Sequence, residues 1–547
     1  MNTIFPDIQL RALKPPMQPA ELLKTLRFNV SLTSSQEINC FIQEAEHDLN
    51  LYDKLIQHIK IKKAALKNDI TRYRSLQSPI RKLPPETLRR IFGIAAGPNQ
   101  CGRPCHGRGT SIFRLSSVCT RWREVALNSP ELWANISIYM DLGAIRPLEL
   151  CLRRSQQHPL SLQLDPGWDR AQAGTPISEL FRLLLEHSRR WQHLDVRTVD
   201  FFAFDGIGEM PLLQSVKCCP FAGEIMPFGN APNLRQLQIL QEFHDVGEPV
   251  DLTSLPWSTL RHLDLVDTEH YWDREAIVEC FRRGNKLQSF VYRHESEEYP
   301  SIRTRNEHCV VSNIESLSLE LPNPDSFNYV LSEMIQAVTL PSLVNFTISC
   351  TPPEPYGEPN YIKFFMAWPG NVFSEFMERS KCNLTTLALK GIPLSESKLM
   401  PLLQLTPSLH TFILHEFLAT EDAWDDDDFE DRKNKYQTVT ESFLNRLAVS
   451  PLTADPFLSR NPLLPKLKWF TLRVQSHFDA DAAFVELVKS RWVYPTGDLP
   501  FHDMETLRTV ELHVLNRSLP KKVYEPLKAV DADGMMISVF GNGKRIV

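Results

Sequence analysis

The chain has 547 residues, 42% apolar and 23% charged, with a formal net charge of −6. That length holds several domains or one long repeat array, and the negative balance argues against the whole molecule being built to bind nucleic acid. Eleven cysteines, scattered from Cys40 to Cys382, lack the dense spacing of a disulfide scaffold, and Cys119, Cys280 and Cys350 sit in apolar runs. Met1 to Gln18 holds no apolar signal-like core and no eighteen-residue apolar run follows, so the expectation is a soluble protein of a reducing compartment, cytoplasmic and/or nuclear.

Residues 1–33 carry Pro6, Pro15, Pro16 and Pro19 without clear periodicity and read as a poorly ordered leader. Leu22, Leu23 and Leu26 suffice for one marginal helical turn. Over 34–77 the pattern sharpens. Ile38, Ile42, Ala45, Leu49, Tyr52, Ile56, Ile59, Leu66, Ile70 and Tyr73 alternate four and three apart, broken by Lys63. Ser34, Ser35 and Glu37 offer an amino-terminal cap, so the spacing predicts a long helix with a coiled-coil seam. Two occupants of that seam stay open: a second copy in a homodimer, or the chain's own later domains. Between 51 and 90, eleven Lys and Arg stand against three Asp and Glu. A solvated helix face explains that excess; contact with nucleic acid or an acidic protein is the alternative.

Residues 78–140 are the stretch around which the chain is organised. Leu83, Leu88, Ile91 and Phe92 fall at helical spacing, with Pro84 and Pro85 where a first turn tolerates them. Leu115, Val118, Cys119 and Trp122 recur at i, i+3, i+4 and i+7, which predicts a second apolar face. Asn128-Ser129-Pro130 stops the helix, and Glu131-Leu132-Trp133 leads into the alternating Asn135-Ile136-Ser137-Ile138. A unit this small cannot hide so many large apolar groups internally and needs a partner surface.

The order Leu83-Pro84-Pro85-Glu86, Leu88, Ile91-Phe92, then Leu115, Val118-Cys119, Trp122-Arg123, then Pro130-x-Leu132-Trp133 closely resembles the F-box. The resemblance is to substrate receptors of SCF ubiquitin ligases with a carboxy-terminal leucine-rich-repeat-like domain, of the fungal type with an amino-terminal coiled-coil helix. It implies that Leu83, Pro84, Leu88, Ile91, Phe92, Leu115, Val118, Trp122 and Trp133 divide between a core and a surface that docks on a Skp1-like adaptor, and through it a cullin. The departure is the loop 97–110, longer than in the compact form of the family. It holds Cys101, Cys105 and His106, but a structural zinc needs a fourth ligand and no second Cys/His pair follows at a finger-like interval. Its glycine and proline content predicts an insertion instead.

Beyond residue 141 one element keeps returning, apolar-x-x-apolar-x-apolar. It appears at Trp191–Val196, Leu213–Cys218, Leu234–Ile239, Leu260–Leu265, Leu287–Tyr292, Ile314–Leu319 and Leu343–Ile348, then at Leu384–Leu389, Leu409–Leu414, Leu467–Leu472 and Leu507–Leu512. The last two apolar positions lie two apart, so a strand buries both while the residue between faces out. Most starts are 21–29 residues apart, with longer intervals of 41, 58 and 40. Helix-period faces fill many gaps: 178–184, 274–283, 327–337, 373–379, 398–404, 442–448 and 482–489. The element resembles the strand core of leucine-rich repeats, without the Asn or Cys that ordinarily bonds the turn after the strand. An α/β domain with unrelated parallel strands is the alternative.

The expected fold is mixed. A long amino-terminal α-helix and an α-helical F-box precede an α/β leucine-rich-repeat-like solenoid with a curved parallel sheet over 141–520. Asp425 to Asp428 centre an acidic insertion at 418–435, read as a solvated loop, and 521–547 is a tail or terminal cap. No phosphate-binding glycine loop, nucleophile elbow or metalloprotease motif is present, and the sixteen histidines are dispersed. The reading is therefore a non-catalytic receptor with no cofactor and no metal. An F-box and repeat scaffold working outside ubiquitination, and a nucleic-acid-associated protein using 51–90, are its alternatives. Candidate target contacts are the outward strand residues His262, Asp264, Ser318, Lys468, Arg473, Glu511 and His513.

Overall fold

A computed structural model describes residues 13–28, 35–102, 111–139, 141–165, 175–196, 208–219, 228, 231–241, 252, 255–267, 274–294, 309–321, 324–350, 368–392, 394–417, 437–449, 463–492 and 504–547. The chain divides into two compact units, Met1–Ile91 and Phe92–Val547.

The first unit is helical. Where the prolines suggest a leader without order, Pro19 instead opens a ten-residue helix, α1 (Pro19–Phe28). Proline is tolerated there because its missing N–H has no partner in a first turn. Next comes α2 (Ser35–Leu76), a helix of 42 residues with none buried. Leu49, Ile56, Leu66 and Tyr73 of its seam are all exposed.

The second unit is built on a sheet. Among the described residues sixteen strands form it, and their order in space is their order in the chain. They are β1 (Asn99–Cys101), β2 (Asn135–Tyr139), β3 (Leu160–Asp165), β4 (Trp191–Val196), β5 (Ser215–Cys218), β6 (Gln236–Gln241), β7 (His262–Asp267), β8 (Ser289–His294), β9 (Ser316–Leu321), β10 (Asn345–Cys350), β11 (Thr386–Ile392), β12 (Thr411–Glu416), β13 (Trp469–Val474), β14 (Thr509–Val514), β15 (Met536–Gly541) and β16 (Lys544–Arg545). All pairs are parallel except the last, where the two-residue β16 turns back on β15. Each of the eleven recurring elements contributes a strand, β4 to β14. The sheet also extends past both ends of 141–520: the predicted insertion at 97–110 begins with β1, and the tail supplies β15 and β16.

Two things set the register. The paired residues Leu162, Leu194, Val216, Leu237, Leu263, Phe290, Leu317, Phe346, Leu387, Phe412, Phe470, Val510 and Ile537 run across thirteen strands as one ladder, every one buried. The main chain supplies the second. In the turn before each of β5 to β13 one carbonyl accepts two consecutive N–H groups from the start of the next strand: Gln214 from Arg235 and Gln236, Arg235 from Arg261 and His262, Arg261 from Gln288 and Ser289. The series continues through Gln288, Glu315, Val344, Thr385, His410 and Lys468 at 2.8–3.0 Å. Helices cover the buried face. Phe281 of the helix Arg274–Arg283 meets Phe290 at 4.8 Å, and Phe373 of the helix Gly370–Ser380 meets Phe346 at 6.1 Å.

Arginines, Arg190 and Arg491 buried and Arg379 half-buried, tie the intervals together through carbonyls. Arg190 donates to His158 O and Ser155 Oγ, and Arg379 donates to Ile335 O and Val338 O. Arg491, fully enclosed, donates to Leu447 O at 2.6 Å, to Leu464 O at 2.9 Å and to Leu463 O. Burial lowers its pKa to about 10, so it stays charged at neutral pH. Glu416 works from the acidic side: its two oxygens accept Val439 N at 3.0 Å and Gln475 N at 3.1 Å. Burial raises this carboxyl to about 7, against the opposing pull of those N–H groups.

Two predictions follow from this packing. Phe346→Ala should destabilise by about 3–5 kcal/mol and the outward neighbour Thr347→Ala by under about 0.5 kcal/mol, compared by chemical denaturation. Because the folded value for Glu416 lies above the ordinary carboxyl value, the folded chain holds that proton more tightly. Its contribution is fully present below about pH 4.5 and is lost as pH rises through about 7. The melting temperature should fall across that window, and Glu416→Gln should remove this component of the fall.

Candidate functional site

The motif region lies at the unit boundary, and its residues sort by exposure. Helix α3 (Pro85–Ala95) buries Leu88 and Phe92, while Ile91 is exposed and Ile94 is 81% exposed. Leu83 is half-buried in extended backbone just before the helix and Pro84 is exposed. Thus Ile91 does not share the buried face expected from spacing alone; the four-residue step from Leu88 to Phe92 defines that face. The second half is also not one helix. α4 (Ile112–Ser116) ends and α5 (Thr120–Leu127) begins after Cys119, whose backbone is extended. This break leaves Leu115 buried but turns Val118 out to 61% exposure.

Trp133 is the hub of this half. It is fully buried, and its Nε1 donates to Ala126 O at 2.8 Å. Phe113 meets its ring edge-on at 5.2 Å and the Arg154 guanidinium lies 4.3 Å from the ring centre. The half-buried Trp122 leans on Phe92 at 4.9 Å. Two residues after Trp133 the chain enters β2, so the helical half and the sheet share continuous backbone. Asn99 at the start of β1 reinforces that junction, donating through Nδ2 to Leu132 O at 2.8 Å and Asn135 O at 3.0 Å.

On the outward face of the sheet two charged patches stand apart. Around β7 to β9, Arg293 lies 3.4 Å from Asp264 and 2.9 Å from Glu320, so this patch neutralises itself. Burial nonetheless holds Asp264 above the usual carboxylate range, against the pull of Arg293. Around β11 to β14, register places Lys390 beside His415, His415 beside Arg473 and Arg473 beside His513. Of the residues expected to contact a target, Asp264 and Ser318 belong to the first patch, with His262 exposed at the start of β7. Arg473, Glu511 and His513 belong to the second. Lys468 is at the turn before β13 and pairs with Glu505 at 3.2 Å.

Residues 80–139 match the family model for F-box-like domains. This is an F-box-like domain. No curated protein matches the chain. The F-box-like domain therefore includes β2, the strand through which it joins the sheet.

Sequence reasoning missed Ile94 as an exposed apolar group, and missed Arg293, Glu320, Lys390 and His415 on the sheet. Each of those four follows the last apolar residue of its repeat, a position that could have been tabulated across copies. Of the three possible zinc ligands, Cys105 and His106 lie outside the described residues. Cys101 is buried in β1, where hydrogen bonding with Cys151 and burial push its thiol up. Among the described residues no group of three or more His, Cys, Asp or Glu could hold a metal ion. No helix among them is long and apolar enough to cross a membrane. The acidic run Asp425 to Asp428 lies outside the described residues.

Proposed function

We propose that this protein is a non-catalytic substrate-recognition subunit of an SCF-type ubiquitin ligase. F-box domains bind Skp1-like adaptors, and the F-box-like match over 80–139 is the observation that carries the reading. The groups assigned to the adaptor are those left open in the second unit, Ile94 and Val118. Leu88, Phe92, Leu115 and Trp133 hold the domain together. A cullin is recruited through the adaptor.

The sheet is read as a leucine-rich-repeat-like solenoid. Support comes from strands stacked in chain order, in register, with one repeated turn hydrogen-bond pattern. Its outward face holds a protein target, and the work done is proximity: target lysines are presented at high effective concentration to the ligase. The open seam of α2 is assigned to a second copy of the chain in a homodimer.

Val118→Asp should cut recovery of a Skp1-like adaptor and cullin in affinity purification by about tenfold or more, with an unchanged melting temperature. Trp122→Ala should abolish recovery as well, but through a local packing loss of about 3 kcal/mol. Undiminished recovery with Val118→Asp counts against the assignment. Light scattering should give twice the chain mass for the full-length protein, reverting to one chain when Leu49 and Ile56 are both replaced by Glu. A wild-type monomer would leave the seam to another partner.

A further inference from the structure

We propose that two copies of the chain pair through α2 in antiparallel orientation, the acidic first half of one lying along the basic second half of the other. The proposal rests on the homodimer reading and fixes how that dimer is built. An apolar seam exposed along its length, with Leu49, Ile56, Ile59 and Leu66 open, calls for a partner but gives it no direction. Charge gives the direction. Residues 35–50 carry Glu37, Glu44, Glu46 and Asp48 and no Lys or Arg, whereas 51–76 carry seven Lys and Arg against Asp53 and Asp69. A helix's own dipole favours acid at its start and base at its end, but only within the terminal turns. That accounts for Glu37 and Arg74. It does not account for Glu44, Glu46 and Asp48, or for Lys60, Lys62, Lys63 and Lys67, which all lie deeper in α2 than a terminal turn.

The residues flanking the seam decide between the two orientations. On one side stand Glu46, Asp53, Lys60, Lys67 and Arg74, and on the other Asp48, Leu55, Lys62 and Asp69. In a parallel pair each row faces the other, so Asp48 meets Asp53 and Lys62 meets Lys67. Only Asp69 then meets an opposite charge, Arg74, and Lys63, the break in the seam, meets its own twin. Antiparallel pairing sets each row against itself, and an apolar seam of this spacing allows it in two registers. One brings Glu46 to Lys60 and Asp48 to Lys62, leaving Asp53 against its twin. The other brings Glu46 to Lys67 and Asp53 to Lys60, leaving Asp48 against Asp69. In both, attractive pairs outnumber repulsive ones, the reverse of the parallel case. Lys63 faces Ala45, whose small side chain leaves room for the lysine stem, or Tyr52, whose ring face accepts a cation. The orientation also sets a distance. The two copies of Leu76 stand roughly 55–65 Å apart at about 1.5 Å per residue, where a parallel pair would bring them within about 10 Å.

The test is carbodiimide cross-linking of the full-length chain, which joins a carboxylate only to an amine it touches. Isotope-labelled and unlabelled copies are mixed, diluted to exchange partners and reconcentrated, with light scattering to give the mass. Links between a labelled and an unlabelled copy should join Glu44, Glu46 or Asp48 to Lys60, Lys62 or Lys67. Glu46→Lys and Lys60→Glu lie at exposed positions of α2, and by symmetry each turns two attractive pairs into repulsive ones. Each should raise the dimer dissociation constant about tenfold, read by sedimentation equilibrium. In a parallel pair Glu46 faces Phe41 and Lys60 faces Leu55, so neither change would matter. A dimer whose mixed links join Asp69 to Lys67, or whose dissociation constant neither variant moves, overturns the orientation and keeps the homodimer reading. A monomer, or links confined to single copies, removes both.

Discussion

One backbone carbonyl per repeat, accepting two N–H groups from the start of the next strand, is the constraint that organises the second unit. A parallel strand pair alone fixes register weakly, because its evenly spaced bonds permit slippage. The doubled bond pins each strand at its first residue, and the buried apolar ladder then penalises any one-residue slip by turning leucines to solvent. With the start pinned, the length of chain between strands is free to vary. Seventeen residues separate β5 from β6, whereas 52 separate β12 from β13, yet Phe412 still pairs with Phe470.

Long intervals need ties of their own, and polar groups inside the structure supply them. Arg190, Arg379 and Arg491 each gather carbonyls contributed by an earlier interval, work that an apolar side chain cannot do. Glu416 does the reverse, gathering N–H groups from residues 439 and 475. Enclosing such groups is costly unless every donor is used, which is why Arg491 has partners on three nitrogens. At the final edge the sheet ends on a two-residue antiparallel strand carrying Lys544 and Arg545. A short charged edge of this kind discourages pairing with another sheet.

Much of this was legible in the residues. Strands β4 to β14 announced themselves because two apolar positions two apart, preceded by a third, is a pattern a strand and its turn impose together. β3 escaped because Pro159 stands where that third residue belongs. β1 escaped because Asn99 is buried through hydrogen bonds, which hydropathy does not register. In the F-box-like domain the residue types were readable but their directions were not. Val118 looks like a core residue at helical spacing until the break after Ser116 turns it outward. On the sheet, Arg473 and His513 could be picked from their repeats one at a time. That they stand beside Lys390 and His415 depends on which strands are neighbours, a property of topology rather than of any local motif.

The strand shared by the F-box-like domain and the sheet turns the repeat array into a ruler. From β2 to β12 there are ten strand steps, so whatever grips the helical end is separated from His415 by a contour of roughly 48 Å, at about 4.8 Å per step. No hinge segment intervenes between Trp133 and the first of those steps. Adding or deleting one strand would therefore shift His415 relative to Trp133 by a fixed increment, so the number of strands is itself a setting for how far one end of the sheet stands from the other.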